Sequence, residues 1–482
     1  MKISGEFIPD GMNSFERNVK RVGDCIIASI LMMLFSPLFL VCYIAVKRED
    51  GGPVIFKQER IGRFGRPFYI YKFRSMRLDA EKKGPALYAG GKDKRLTKIG
   101  KFLREHHLDE LPQLWNVFCG DMSFIGPRPE RKFYIDQMVK YKFNVLQLHL
   151  SDDQGWSIWI ETYPKLAGSR FYTKQDIQEL VEYAEKRHVQ VIPEIDVPGH
   201  TVSLLAKYPD MACIHQREAE KIIGKTGHMM LCAGNEEVYV MMDDIIREVA
   251  GMFKSPLMHL GGDEADIPKN WAKCDLCRLL MKKKNYTEPA QLMIPFFENI
   301  LASVRKYGKK PILWFELNNE YPPADDYLFP YPKDVVLVSW RGGMTPTGLD
   351  LSAERGHNVI MAPGEHCYYD YPQYKGDLPE YNNWGMPMTT LERAYRLDPG
   401  YGRPLAKQHH IWGVMGALWG EAVIDINRAT YMSFPRAFAL AEAGWTQMEN
   451  RSWESFKKRV LPNVNELMKA GVSVRVPFEI AR

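Results

Sequence analysis

Seven short apolar runs recur through the later two thirds of this chain, at residues 145–150, 189–197, 257–260, 312–317, 335–340, 359–362 and 414–419, with helix-sized patterns between them. Runs of four to nine residues rich in Val, Ile and Leu are strand candidates. When helices separate them, the strands must pair in parallel. The pattern therefore predicts an α/β fold, a (β/α)8 TIM-type barrel with one strand unseen. It also predicts where chemistry sits, because the polar residues at the C-terminal ends of barrel strands line one mouth. Those residues are His149, Asp152 and Asp153; Glu194, Asp196 and His200; Asp263 and Glu264; Glu316; Trp340; Tyr368 and Asp370; and Trp419 and Glu421. Carboxylates mixed with aromatic rings suit a sugar, whose hydroxyls seek acceptors and whose C–H faces seek rings.

HLGGDE at 259–264 is the sharpest motif. Two adjacent acids after a glycine pair at the end of a buried strand shift each other's pKa, so that one can stay protonated as a general acid. His200, in IPEIDVPGHT, reads equally as a loop-capping histidine or as a member of the mouth.

The first 130 residues are of another kind. They carry 22 Lys and Arg against 15 Asp and Glu, whereas the remainder carries 42 against 44 and holds ten of the eleven Trp. One uniform domain is excluded, and the boundary is set at 1–130 and 131–482. Residues 25–46 form an uncharged apolar run, about 33 Å long as a helix and so matched to a bilayer core. Positive charge flanks both ends, and Ser36-Pro37 interrupts the middle, so the segment reads as a spanning helix or a re-entrant one. Next come VIFKQERIGRFGRPFYIYKFRSM, suited to anionic headgroups or phosphates, and LDELPQLWNVF, in which Asp109 could simply cap a helix with Pro112 in its first turn.

Eight Cys are too few for a disulfide scaffold. Cys274-Asp-Leu-Cys277 has the spacing of half a zinc ribbon, but no second such pair follows it. Cys213 and Cys232 could pair in an exported protein.

The broken apolar run, FKQERIGRFGRPFYIYKFRSM and LDELPQLWNVFCGDMSFIGPRPE together resemble the bacterial sugar transferases, the monotopic phosphoglycosyl transferases, over about residues 14–138. The resemblance implies a small α/β membrane-associated domain at the bacterial inner membrane. Asp109 would be the nucleophile toward a nucleotide sugar, Glu110 would hold Mg²⁺, Arg128 would add positive charge, and polyprenyl phosphate would accept the sugar phosphate. The later segment resembles glycoside hydrolase family 20, the β-N-acetylhexosaminidases, through YKFNVLQLHLSDDQGW, VIPEIDVPGHT, LCAGNEEVY, HLGGDE, CYYDYPQ and GALWGEAV in order. By that resemblance Glu264 is the general acid and Asp263 orients the substrate's acetamido group. Tyr368, Trp314, Trp340 and Trp419 enclose that group, Asp370 and Glu421 bind hydroxyls, and Asp152 and His200 support the acid. The implied substrates are glycans ending in a β-linked N-acetylhexosamine, with no cofactor and no nucleic-acid partner.

The family's first barrel strand and its sugar-gripping Arg have no counterpart in this sequence. Met122–Ile125 and Arg128 are the stand-ins to be examined. Two alternatives accompany the hydrolase reading: a phosphoglycosyl transferase with an impaired barrel, and a non-catalytic membrane-tethered carbohydrate binder or recombined fusion.

Overall fold

The computed structural model describes residues 14–61, 67–77, 96–106, 108–124, 129–168, 170–225, 229–316, 330–375, 377, 387–421, 423, 426–469 and 472–480. They form two compact units. One comprises Met1–Pro129 with the pieces Ile424–Arg428 and Asn465–Ser473. The other comprises Glu130–Val423, Ala429–Val464 and Val474–Arg482.

In the first unit the apolar run does not make one helix. Helix α1 (Ser14–Leu34) and helix α2 (Ser36–Asp50) meet at Phe35 with a bend of 62°, and among the described residues no single helix is long and apolar enough to cross a membrane. Of the two readings of residues 25–46, one straight spanning helix does not form, and the run is a pair broken where Ser36-Pro37 interrupts it. The reason is local: Pro37 lies in the first turn of α2, where its missing N–H costs nothing, and the Ser36 hydroxyl donates to the Met33 carbonyl at 2.8 Å. Val19, Val22, Ile26, Ile30 and Met33, spaced three or four apart on α1, are all exposed, as are Leu40, Val41 and Ile44 on α2. The inner faces pack with an antiparallel hairpin of β1 (Ile55–Ile61) and β2 (Pro67–Phe73), helix α3 (Lys98–Glu105) and helix α4 (Gln113–Cys119). Cys42, Val46, Val54, Phe73 and Leu103 form the core. Buried Asn116 on α4 accepts from the Tyr71 N–H and donates to the Tyr69 carbonyl, so a side chain completes the outer edge of β2. Met122–Phe124 form no strand, and Ile125 and Arg128 lie outside the described residues.

The second unit opens with helix α5 (Pro129–Lys140) and then builds its sheet. Strand β3 (Val145–His149) leads into a small hairpin, β4 (Ser151–Asp152) and β5 (Gly155–Trp156). There follow β6 (Gln190–Glu194), β7 (Leu257–His259), β8 (Lys310–Trp314), β9 (Val336–Ser339), β10 (Val359–Met361) and β11 (Ile411–Val414). Seven of these pair in parallel in the order β3-β6-β7-β8-β9-β10-β11, a curled sheet with the predicted crossovers. Alternation decides each side chain's side. Ile192, Ile312, Trp314, Val336 and Val338 point to the concave face, while Val191, Leu313 and Leu337 join the helices outside. Helix Lys174–Glu185, for example, is fixed by a Thr173/Asp176 capping box and buries Ile177, Leu180, Val181 and Ala184.

Among the described residues β3 and β11 do not pair with each other, so the sheet ends where an eighth strand would close it. Strand β9 is buried throughout, whereas Val145 on β3 and Trp412 on β11 are 41% and 47% exposed. This is the edge that the missing first strand leads one to expect.

Candidate active site

The chain leaves β7 through His259-Leu-Gly-Gly, and the glycines are there for steric reasons. Gly261 has φ +66°, and a Cβ there would lie 1.5 Å from Asp196 Oδ1. Gly262 has φ +103°, and its N–H donates to the same oxygen at 3.2 Å. This turn places Asp263, buried, and Glu264, more exposed, at the concave mouth. Glu264 and His200 are both non-glycine residues held in the left-handed region, at φ +48° and +52°, a conformation that persists where surrounding structure enforces it.

Between them runs an alternating chain of acids and imidazoles. Fully buried Glu194 faces His149 Nδ1 at 3.0 Å, and His149 Nε2 meets Asp152 Oδ2 at 3.1 Å. Asp152 Oδ1 meets His200 Nδ1 at 3.1 Å, and His200 Nε2 faces Glu264 Oε2 at 3.6 Å and Asp263 Oδ2 at 3.8 Å. Burial works against every charge here, but the alternation overcomes it. The carboxylates raise both histidines, and the histidines hold Asp152 and Glu194 below the usual carboxylate range. His200, whose Nε2 faces Glu264 at 3.6 Å, is also the main cause that keeps Glu264 low, helped by Arg341, 3.9 Å away. On the other side burial, together with the Asp263 charge, pushes Asp196 well up, and burial raises Asp263 as well.

Four rings stand over this acid cluster. Trp314 to Trp340 is 6.3 Å, Trp340 to Tyr368 is 6.2 Å and stacked, Tyr368 to Trp419 is 6.1 Å, and Trp419 to Trp314 is 6.0 Å, which closes a four-sided box. Each wall is anchored. Trp314 Nε1–H donates to Glu194 at 2.9 Å, and Trp419 donates to the Tyr368 hydroxyl. Backbone bonds Tyr369 N–H to Ala417 O and Ala417 N–H to Cys367 O tie the Tyr368 loop to the Trp419 loop. Arg436, fully buried, donates to the carbonyls of Tyr369, Tyr371, Thr389 and Met432 and so fixes the segment bearing Tyr368 and Asp370. Asp263 Oδ1, Trp340 Nε1 and Asp370 Oδ1 are among the buried polar atoms that have no hydrogen-bond partner among the described residues. Unpaired buried groups are costly unless a ligand completes them. Glu421 lies exposed beyond Trp419, where its charge is felt by Asp370.

The structure thus brings Asp152, His200, Asp263, Glu264, Trp314, Trp340, Tyr368, Asp370, Trp419 and Glu421 to one mouth. Arg128 lies outside the described residues. Arg341 is the residue the sequence reading passed over. Its guanidinium grips Glu316 at 3.0 and 3.1 Å, stacks over Trp340 at 4.4 Å and faces Glu264. Extending the strand-end rule one residue past Trp340 would have found it.

Asp109 and Glu110 lie in the first unit on one 3-10 turn, Leu108–Glu110. Asp109 is buried, and burial raises its carboxyl. Glu110 is exposed and pairs with Lys72 Nζ at 2.7 Å.

Comparison with known proteins bears directly on this mouth, since residues 127–448 match the catalytic domain of glycosyl hydrolase family 20. The chain belongs to that family. A β-hexosaminidase of Akkermansia muciniphila is 36% identical over 361 residues, covering 71% of this chain and 70% of its own length. A β-hexosaminidase of Porphyromonas gingivalis is 31% identical, and this chain spans only 45% of it. A crystal structure of a β-N-acetylhexosaminidase superposes with a TM-score of 0.65 at 31% identity, covering 80% of this chain and 86% of that one. Residues 15–187 match the bacterial sugar transferases. In that part a putative undecaprenyl-phosphate N-acetylgalactosaminyl 1-phosphate transferase of Bacillus subtilis is 44% identical over 145 residues, 28% of this chain and 80% of that protein. Both matches claim residues 127–187, where the structure builds β3 and helix Lys174–Glu185. This family 20 protein is therefore a glycoside hydrolase joined to a sugar-transferase segment, a reading that stands ahead of a lone transferase or a non-catalytic binder.

Proposed function

We propose that the barrel unit removes terminal, non-reducing β-linked N-acetylglucosamine or N-acetylgalactosamine with retention of configuration, using the substrate's own acetamido oxygen as nucleophile. The observation that carries this reading is the unpartnered Asp263 Oδ1 beside the closed aromatic box, a fit for an N–H above a methyl group. Asp263 accepts from the acetamido N–H and turns the carbonyl oxygen toward the anomeric carbon. The Tyr368 hydroxyl, which burial keeps neutral, donates to that oxygen. As the C–O bond to the anomeric carbon forms, the glycosidic bond breaks and Glu264 protonates the leaving oxygen. Water then opens the cyclic intermediate with Glu264 as base. This route departs from the two-carboxylate scheme in that no side chain is attacked. In the free enzyme the neighbouring carboxylates favour a protonated His200 and an ionised Glu264, so for Glu264 to act as acid a proton has to reach it once substrate excludes water from the exposed carboxylate. No cofactor enters. Proton NMR of the first-formed sugar tests the route: the β anomer is expected, and an α product would sink it.

Asp370 and Glu421 bind sugar hydroxyls in this reading. Burial pushes Asp370 up to about 7 in the free enzyme, so a carboxylate that accepts hydroxyl protons becomes available only above that value. The sign follows: KM falls as pH rises from about 6 to about 8, and Asp370→Asn raises KM roughly 10- to 100-fold and removes this limb. Conversely, the raised folded-state pKa means that the ligand-free barrel loses this group's contribution as pH rises from the ordinary carboxylate range through about 7. Steady-state kinetics on a chromogenic β-N-acetylglucosaminide across that range decide it, and an unchanged pH profile in the variant counts against Asp370.

For the first unit, the exposed stripes on α1 and α2 favour a lipid face, since apolar patches of that extent on a soluble surface mark interaction sites. We infer a membrane-bound residence at the bacterial inner membrane and transfer of a sugar phosphate from a nucleotide sugar to polyprenyl phosphate, with Asp109 as nucleophile. Adjacent carboxylates suit Mg²⁺, which commonly takes one or two acids plus substrate phosphates. Glu110 would hold the ion, which would neutralise pyrophosphate charge. Full-length protein is expected to float with vesicles containing anionic lipid, and Ile26→Asp/Ile30→Asp to lose most of that binding. Equal flotation of wild type and variant would remove the lipid face.

A further inference from the structure

Cys213, Cys232 and the Cys274/Cys277 pair lie on separate stretches of the sequence, yet the structure gathers them in one buried cluster. Each is 0% exposed, none is in a disulfide, and their four sulfurs all lie within 4.8 Å of one another. Cys232 Sγ is 3.7 Å from both Cys274 Sγ and Cys277 Sγ. Four sulfurs bound at about 2.3 Å to a central tetrahedral ion would stand about 3.8 Å apart, so the two Cys232 edges already have the length found in a metal-thiolate tetrahedron.

The local fold is built around this arrangement. Cys274 is the N-cap of helix Asp275–Lys284 and Cys277 lies in its first turn, so both sulfurs sit at the positive end of the helix, which favours thiolates. The loop bearing Cys232 is pressed against that turn. A Cβ on Gly234 would come within 2.4 Å of the Leu276 backbone, so only glycine permits the approach. The remaining bonds close the pocket: Cys232 N–H to Met211 O, Trp271 Nε1–H to Leu231 O at 2.8 Å, and the Tyr239 hydroxyl to Ala233 O at 2.7 Å.

We propose that these four cysteines bind one structural zinc ion in a closed, all-thiolate site. Tetrahedral all-sulfur coordination selects zinc among common divalent ions, and the absence of an open position makes the role structural rather than catalytic. Its place in the barrel gives that role content. Cys213 and Cys232 belong to the excursion after β6 that begins with His200. Cys274 and Cys277 belong to the excursion after β7 that begins with Asp263 and Glu264. The ion therefore staples together the two loops whose first residues face each other across the 3.6 Å His200–Glu264 contact. Leu231 N–H to Pro198 O continues the tie back toward His200. The half zinc ribbon of the sequence finds its missing pair not in a second ribbon but on the neighbouring loop.

The test is metal content, measured without substrate and so independent of the glycosidase reading. Full-length detergent-purified protein is expected to carry about one zinc per chain by elemental mass spectrometry. Cys119→Ser, an exposed thiol of the other unit, should keep it, whereas Cys274→Ser and Cys277→Ser should lose it. Should those variants fail to fold, cobalt exchanged into the wild type should give thiolate-to-cobalt charge transfer in the near ultraviolet and the intense visible bands of tetrahedral coordination. Alkylation of denatured, chelated protein should find all four thiols free. A metal-free folded protein, an octahedral cobalt spectrum, or a Cys213–Cys232 disulfide in the mass map would each overturn the proposal.

Discussion

Replacing Glu264 with Gln should lower kcat on an unactivated β-linked N-acetylglucosamine disaccharide by roughly 10²- to 10⁴-fold, the range expected when a positioned general acid is removed. The loss should depend on the leaving group. A nitrophenolate departs without a proton, so on a nitrophenyl glycoside the bond-breaking step should suffer much less than on the disaccharide. A purely structural defect would depress both substrates alike. The substitution is nearly isosteric, and Glu264 lies at the exposed end of the acid–imidazole chain, so melting temperature should barely move. The surrounding charges sharpen the expectation. His200 and Arg341 hold the Glu264 carboxyl below its usual range in the free enzyme, and an amide in place of the carboxylate can neither receive nor release the proton that the acid role requires. Equal turnover by wild type and variant would remove Glu264 from the acid role, and inactivity of a folded wild type would revive the carbohydrate-binder alternative.

How much of this was legible beforehand depended on whether the deciding interaction was local. Asp263 and Glu264 were legible because Gly261-Gly262 ahead of them already announces a backbone turn that no side chain can make. Trp340 and Trp419 were legible because strand ends have a fixed address in a barrel. Trp314 lies at the concave end of β8 by the same alternation. Arg341 escaped because its meaning comes from Glu316, two residues past the end of β8, and not from any neighbour in sequence. The partners of Cys274 and Cys277 escaped for the same reason, since Cys213 and Cys232 arrive on another loop. The helix break was visible as Ser36-Pro37, but hydropathy averages over it. Only the bend shows that the run divides into two helices with continuous exposed apolar stripes. The missing first strand was read from the lack of a motif, and the sheet ends at β3 and β11 accordingly.

Gly261→Ala should be the most damaging single methyl in the barrel. The added carbon would lie 1.5 Å from Asp196 Oδ1, 2.1 Å from its Cγ and 2.8 Å from its Cα, so no rotation of the Asp196 side chain relieves the clash. Asp196 cannot retreat either, being 1% exposed, with its N–H bound to Ser151 Oγ and its carboxylate receiving the Gly262 N–H. To this is added the left-handed φ of +66° that alanine adopts at about 1 kcal/mol. Overpacking a buried site costs about 1–3 kcal/mol, and loss of the Asp196 hydrogen bonds a similar amount, so the total is roughly 4 kcal/mol or more. Gly251→Ala, in helix Glu236–Met252 with open space around its Cβ, is the matched control and should stabilise by about 0.5–1 kcal/mol. Chemical denaturation of the pair, followed by tryptophan fluorescence, gives both values. If Gly261→Ala folds at all, hydrolysis should fall with stability, because the turn it deforms sets Asp263 against the aromatic box. A variant that kept both full stability and full turnover would show that the tight turn between Asp196 and Asp263 is not what positions the catalytic acids.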